Sequence, residues 1–227
     1  MDIDSINWQE KVDDLIKYMK EYHQCFNCKN KFSGPSLYFH KRSLDSDGDI
    51  KIEMIYAMLA SWGMHRMGGG AKMNEYEKYY KSIDNAKKEI ERIKCETNEI
   101  LKNENANQFK KIFEMIKPMN TSVGLVGNSK VLAHIFPELL SPIDREYTMQ
   151  FVNGFGIKKF PSSKQEFTFF EKYHNNLVFK VIKNDDFIKY ATIIKEQNRT
   201  GWDTSFPKIV DNLIIGKISR LKSEGKA

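Results

Sequence analysis

The chain has 227 residues, 41% hydrophobic and 12% aromatic, and this composition excludes a generally disordered protein. Its 36 lysines and arginines against 30 acidic residues give a formal charge of +6, and such a balance favours an anionic partner. No apolar run approaches the roughly 18 residues of a membrane span. The acidic first residues and the three cysteines lead us to expect a cytoplasmic protein with reduced thiols.

The first predicted elements are an amphipathic helix and a cysteine pair. Apolar residues at helical spacing predict a helix over Ser5–Tyr22, with Ser5 as its N-cap. Cys25 and Cys28 follow as a CxxC pair, which supplies only half of a zinc site, so we predict no metal. Turn residues then predict an irregular segment over Asn30–Asp49.

The next segment combines an apolar helix with a glycine-rich loop. Ile50–Trp62 is the most apolar stretch of the first half and predicts a helix buried on most sides. A glycine triplet cannot continue a helix cheaply, so residues 63–72 predict a loop that holds His65, Arg66 and Lys72. Two interpretations stand: a surface loop with incidental charges, or, if the chain is a base-flipping protein, a loop that supplies backbone contacts and holds an extruded base.

The remaining periodic segments also predict helices. Asn74–Lys117 carries two apolar stripes with a break near residues 103–105, and its alternating charges are typical of an ion-paired solvent face. Near the C-terminus, apolar periodicity predicts helices over Asp185–Glu196 and Pro207–Leu221. The sequence therefore predicts a mainly α fold.

Between these helical segments lies a glycine-containing turn. Glycines permit backbone conformations that other residues avoid, so Val123–Gly127 predicts a sharp turn, after which Asn128 or Ser129 caps a helix over Lys130–Phe136. Unpaired N–H groups at such a helix start, with a lysine beside them, favour binding of a phosphate. The alternative is an ordinary helical corner with a solvated lysine.

A second helix start supplies a carboxylate. Pro142 keeps Ser141 out of the helical region, so a helix begins around Ile143–Asp144. Asp144 is therefore predicted as an N-cap or first-turn residue, where its ionised form is favoured. It is either a capping residue or a carboxylate that stabilises a developing sugar cation or orients a water.

The segment Met119–Val152 resembles the helix-hairpin-helix DNA glycosylase superfamily. The likeness rests on the glycines Gly124 and Gly127, on Lys130 after them, and on the Pro-x-Asp sequence that ends at Asp144. The glycines stand as Gly-x-x-Gly, whereas the family hairpin usually reads Gly-x-Gly. The resemblance implies one domain over residues 1–227, built as two helical lobes around a cleft. Some divergent members resemble phage-defence enzymes that remove hypermodified bases.

The resemblance further implies a DNA glycosylase that flips out one nucleotide and removes its base without metal or cofactor. Asp144 is then the catalytic carboxylate, and Lys130 either contacts phosphate or attacks the sugar as a nucleophile. The alternatives are a non-catalytic helix-hairpin-helix DNA-binding module and a protein-interaction domain. The predicted DNA contacts are Gly124, Val126, Gly127, Asn128, Ser129, Lys130, His65, Arg66 and Lys72, and the predicted base pocket holds Trp62, Arg145 and Tyr147.

Overall fold

Apolar residues at helical spacing place most of the chain in helices, and the computed structural model confirms a mainly α protein. The structure describes residues 3–29, 33–66, 72–93, 104–121, 124–154, 160 and 162–225. In these ranges the elements are α1 (Trp8–Lys17), α2 (Met19–Lys29), α3 (Pro35–Asp45), α4 (Gly48–Ser61), a 3-10 turn (Met64–Arg66), β1 (Lys72–Met73), α5 (Tyr76–Glu91), α6 (Glu104–Met115), β2 (Met119–Asn120), α7 (Leu125–Ile135), α8 (Thr148–Asn153), α9 (Ser163–Tyr173), a π-helical segment (His174–Val178), α10 (Phe179–Ile182), α11 (Asp185–Gln197) and α12 (Phe206–Ser223).

The chain divides into two compact units. Unit 1 comprises Met1–Lys31, Leu140–Lys159 and Lys172–Ala227, and unit 2 comprises Phe32–Leu139 and Phe160–Glu171. The boundary between their residues falls inside α9, after Glu171. The cleft between two lobes stays a prediction.

Unit 1 is organised around the packing of α12 against α2. Gly216 permits an unusually close approach, because a Cβ atom built there would lie 1.9 Å from the carbonyl oxygen of Tyr22. A larger residue at this position would separate the two helices. Almost fully buried apolar side chains complete the core of this unit, among them Leu15, Phe26, Leu177, Val181, Phe187, Ile209, Leu213 and Ile214.

Unit 2 contains the helix pairs α3–α4 and α5–α6 and a short antiparallel ladder of β1 and β2. Its core is aromatic: the ring centroid of Phe113 lies 5.6 Å from that of Phe167 and 5.3 Å from that of Phe170. Tilted and edge-to-face ring pairs at these distances are favourable. They join α6 to α9 within the unit.

Two predictions about the N-terminal third are wrong. The helix predicted over Ser5–Tyr22 is two helices, and its cap is Asn7, whose side chain accepts the N–H of Glu10 at 3.2 Å. The segment predicted as irregular contains α3, which begins at Pro35. Proline suits the first helical position because an N–H there has no partner inside the helix.

Other segments that the sequence predicts as helices are helical in the structure. The helices α11 and α12 closely match their predicted ranges, and α5 and α6 fill most of the described part of Asn74–Lys117. The predicted break near residues 103–105 falls partly outside the described residues. The helix α4 exists, but Ile50 is 57% exposed, so the prediction that this helix is buried on most sides is wrong.

Candidate functional site

A tight turn before α8 holds Asp144. The backbone N–H of Asp144 donates to the hydroxyl of Thr148 at 3.0 Å, and its carboxylate Oδ1 accepts the N–H of Glu146 at 2.8 Å. Its carbonyl accepts the N–H of Met149 at 3.0 Å. Because α8 begins at Thr148, the prediction that Asp144 opens a helix is wrong. The short aspartate side chain instead organises the turn by reaching the backbone two residues on.

The segment that leads to this turn is fixed by buried polar contacts. Nε2 of His174 lies 3.1 Å from both the backbone nitrogen and the carbonyl oxygen of Ser141, and the Ser141 hydroxyl lies 3.2 Å from that of Tyr173. All three residues are fully buried, and burial raises the pKa of the Tyr173 hydroxyl far above its ordinary value. His174 opens the π-helical segment, a rare feature that is often found at functional sites. The periodicity of the sequence did not predict these contacts of Ser141 with Tyr173 and His174.

Tyr147 lies in the same turn and is half-buried. Burial raises the pKa of Tyr147 to about 12, and the nearby carboxylates of Glu146, Asp144 and Asp211 add to the shift. The ammonium of Lys222 lies 5.1 Å from the centroid of its ring and also pairs with Glu146. The phenol is therefore a neutral hydrogen-bonding group close to the Asp144 carboxylate.

A buried lysine, which sequence reasoning missed, follows the N-terminus of α12. The Lys208 ammonium donates to Oδ2 of Asp211 at 2.6 Å and to Oδ1 of Asn212 at 2.7 Å. It also lies 5.3 Å from the centroid of the Trp202 ring. Polar residues three and four positions apart among the apolar residues at the start of α12 were the available signal. The Asp211 carboxylate also contributes to the raised pKa of Tyr147.

The cluster continues to a buried histidine. The side-chain amide of Asn212 donates to Oδ1 of Asp203 at 2.9 Å, and the same oxygen lies 3.0 Å from Nε2 of His23. An ionised carboxylate oxygen can accept a hydrogen bond but cannot donate one, so Nε2 of His23 is the donor to Asp203. These buried residues satisfy one another and hold the start of α12 near α2.

The start of α7 does not match its prediction. The helix begins at Leu125, so the part of the predicted Val123–Gly127 turn from Leu125 onward is wrong, and Val123 lies outside the described residues. The N–H groups of Gly124 and Leu125 donate to the two oxygens of Glu166, at 2.9 Å and 3.3 Å. Glu166 is only 1% exposed. A carboxylate of the protein thus occupies the helix start where the sequence predicts phosphate binding.

Three further predicted DNA contacts take part in packing. Gly127 is helical, and a Cβ atom there would lie 2.7 Å from Cγ of Met119. The side-chain amide of Asn128 donates to the carbonyl of Phe113 at 2.7 Å, and the hydroxyl of Ser129 donates to the carbonyl of Val126 at 3.1 Å. The buried side chains of Asn128 and Ser129 therefore serve the interior of unit 2.

Lys130 lies in the middle of α7, and it is only 7% exposed. Its ammonium lies 5.2 Å from the centroid of the Trp62 ring, a favourable cation–π distance. Nδ1 of His134 lies 2.7 Å from the carbonyl of Lys130, and Nε2 of His134 lies 2.9 Å from Nδ1 of His40. The carbonyl can only accept, so His134 carries a proton on Nδ1.

The cluster of Lys130, Trp62, His40 and His134 brings together two residues to which the sequence assigned different roles. Trp62 was predicted in the base pocket, and Lys130 was predicted to contact the DNA backbone or to attack the sugar. His40 and His134 were missed. His134 follows Lys130 by one helical turn, which was an available signal. His40 lies far away in the sequence and gave none.

The loop after α4 is only partly described. His65 is exposed, and its Nδ1 lies 2.8 Å from the carbonyl of Ala60. Arg66 ends the 3-10 turn, and residues 67–71, which include the glycine triplet, lie outside the described residues. Lys72 is exposed and pairs with Asn120 across the ladder.

The predicted site residues thus fall into two groups. Asp144, Tyr147 and the half-buried Arg145 belong to unit 1, and Trp62 and Lys130 belong to unit 2. In the part of the chain that the structure describes, no three His, Cys, Asp or Glu side chains are grouped to hold a metal ion, and no helix has the length and hydropathy needed to cross a membrane.

Comparisons with known proteins add no relative. No family model, curated protein or solved structure matches this chain. The geometry of the described residues and the sequence resemblance are therefore what supports a function.

Proposed function

We propose that the protein is a DNA glycosylase that removes a damaged or modified base, with Asp144 as its catalytic carboxylate. One observation carries the proposal: Asp144 is partly exposed, yet its backbone and one carboxylate oxygen are fixed by the hydrogen bonds to Thr148, Glu146 and Met149. A catalytic charge stabilises a transition state best when it is held in place beforehand. The buried contacts of Ser141 support the same backbone.

The reaction proposed is hydrolysis of the N-glycosidic bond. As the base departs with the bonding electrons, positive charge develops on the sugar, and the ionised Asp144 stabilises it. Water then bonds to the sugar carbon, its proton is released, and an abasic site remains. Preorganised electrostatic groups of this kind are typically worth about 3–4 kcal/mol each.

Tyr147 and Arg145 are proposed to line the base pocket beside this carboxylate. The high pKa of Tyr147 keeps its hydroxyl protonated, so it acts as a neutral hydrogen-bond donor rather than as a second negative charge. A neutral aromatic group suits a flipped base, which is bound by stacking and by hydrogen bonds to its edge.

In unit 2 the proposal retains Trp62 as a DNA contact and changes the roles of the buried Lys130 and of the α7 N-terminus. Glu166 already accepts the amides of Gly124 and Leu125, so we propose no phosphate grip by that turn. Trp62 is half-buried, and its ring lies against His40 and His134. Lys130 supplies positive charge on that ring.

The second candidate is a DNA-binding module without catalysis. It is favoured by the same contacts of Asp144, because a purely structural aspartate would also make hydrogen bonds to Glu146 and Thr148. The two candidates differ in what they require of the negative charge. Turn formation needs only an acceptor oxygen, whereas stabilisation of a sugar cation needs the ionised carboxylate.

Asp144→Asn separates these roles, because asparagine keeps an acceptor oxygen for the Glu146 N–H and loses the charge. We expect this variant to keep the fold and the DNA affinity while abasic-site formation falls by about 100-fold or more. The assay measures alkali-labile sites in ordinary duplex DNA carrying common lesions and in phage DNA with modified bases.

Glu146→Gln is the matched control, since it removes the same charge two residues away and breaks an exposed ion pair with Lys222. Loss of activity in Asp144→Asn with activity retained in Glu146→Gln supports the glycosylase. If the wild-type protein binds both DNAs and produces no abasic sites on either, the non-catalytic module replaces it.

A further inference from the structure

Unit 1 carries an open groove between α1 and the junction of α10 with α11. Its volume is about 670 Å³. Its more buried lining is apolar, from Val12 and Ile16, and its exposed lining includes three lysines. The lining residues are Gln9, Val12, Asp13, Ile16, Lys17, Lys180, Lys183 and Asn184.

Among the described residues, ion pairs do not neutralise the positive charge of this groove. Lys17, Lys180 and Lys183 form no salt bridge there, whereas Lys172 pairs with Asp4 and Lys217 pairs with Asp14 elsewhere in unit 1. Three ammonium groups outside any salt bridge therefore line one concave surface.

The polar contacts within the groove leave its net charge positive. Lys180 donates to the side-chain oxygen of Gln9 at 3.3 Å, and the Gln9 amide donates to the carboxylate of Asp13 at 2.9 Å. The ammonium of Lys17 lies 5.0 Å from the centroid of the Tyr18 ring. Asp13 is thus the single carboxylate of the described lining, set against three lysines.

We propose that this groove binds the phosphate backbone of DNA, an inference that rests on the proposed function. Three neighbouring ammonium groups repel one another, and a strand of phosphates relieves that repulsion while releasing counterions into solution. Lysines provide this kind of contact without reading base sequence. The apolar members of the lining suit the sugar faces of the same strand. The groove therefore positions DNA and adds affinity, whereas Asp144 performs the chemistry.

The test is the salt dependence of binding to a duplex oligonucleotide, measured by fluorescence anisotropy. For B-DNA, the slope of log K against log salt is about −0.9 for each phosphate neutralised. The double variant Lys180→Ala/Lys183→Ala should therefore flatten the slope by roughly two and weaken binding at every salt concentration. The control Lys87→Ala/Lys88→Ala removes two exposed lysines from α5 in unit 2 and should leave the slope unchanged.

The outcomes distinguish the groove from the glycosylase. An unchanged slope in the groove variant overturns the groove, while base removal that depends on Asp144 leaves the proposed function intact. A wild-type protein that binds no DNA at low salt overturns both. Competition by polyglutamate that equals competition by DNA of the same total charge would assign the groove to an acidic peptide and also overturn the inference. Since the substituted lysines are exposed, far-ultraviolet circular dichroism should show the wild-type fold in both variants.

Discussion

Gly216→Ala should destabilise unit 1, although alanine is the better helix former. The added Cβ would lie 1.9 Å from the carbonyl oxygen of Tyr22, 2.7 Å from its carbonyl carbon and 3.1 Å from the backbone nitrogen of Phe26. Real Cβ atoms essentially never come within 3.0 Å of such neighbours, so α12 and α2 must separate by at least 1.1 Å along this contact. The clash is with backbone, so no rotamer change relieves it.

The size of the effect follows from two opposing contributions. Overpacking typically costs about 1–3 kcal/mol and occasionally more. A gap of this order also forfeits about a quarter to a half of the dispersion energy of the atom pairs across it. Replacing glycine by alanine inside a helix returns about 1 kcal/mol. Because backbone atoms cannot rotate away, we take the upper end of the overpacking range, about 3 kcal/mol, and subtract the helix gain, which leaves an expected net loss of about 2 kcal/mol in the free energy of unfolding.

Urea denaturation followed by circular dichroism measures this loss, with Gly127→Ala as a graded control. The Cβ at Gly127 would lie 2.7 Å from Cγ of Met119 and 3.0 Å from Cγ of Pro118. Because the Met119 side chain can rotate away, that variant should lose less, about 1 kcal/mol. A Gly216→Ala protein as stable as the wild type would refute the close packing of α2 and α12.

Two further predictions concern buried and half-buried ionisable groups of unit 1. Lys208→Met should lower the free energy of unfolding by about 3–5 kcal/mol, because it leaves the buried Asp211 without its ammonium partner. Adding Asp211→Leu should recover most of that loss, as measured by denaturant titration. Burial raises the pKa values of Tyr147 and Tyr190 to about 12, so the unfolded chain, whose tyrosines ionise near pH ~10, loses those protons first. The free energy of unfolding should therefore fall as the pH rises from about 10 towards 12. If the tyrosinate absorbance of the folded protein shows every tyrosine ionising near pH ~10, as free tyrosine does, that result contradicts the reasoning.

The sequence predicts helices well where the buried face is apolar. The helices α11 and α12 closely match their predictions because their apolar residues recur at local, helical spacing. The helix α3 was missed because its buried residues, His40 and Ser43, are polar. An apolar pattern cannot reveal a helix whose interior contacts are hydrogen bonds between distant segments, such as the bond from His40 to His134.

The ends of helices and the site depend on more distant partners. The start of α7 is set by Glu166, which is 41 residues from Leu125 in the sequence, so no local pattern predicts it. Lys130 was predicted near the surface because lysines are usually exposed. Its ammonium lies over the ring of Trp62, which ends α4 and is far from Lys130 in the sequence. Asp144 was identified because Pro142 lies two residues before it, which is a local signal.

Exposure distinguishes two carboxylates that bind backbone amides, Glu166 and Asp144. Glu166 and Asp144 both accept N–H groups next to the start of a helix. Glu166 is 1% exposed and uses both oxygens to hold α7, so a substrate has no route to it in this conformation. Asp144 is partly exposed, and Tyr147 lies beside it. A carboxylate must be both fixed and accessible to act on a sugar, and of these two residues Asp144 alone meets both conditions.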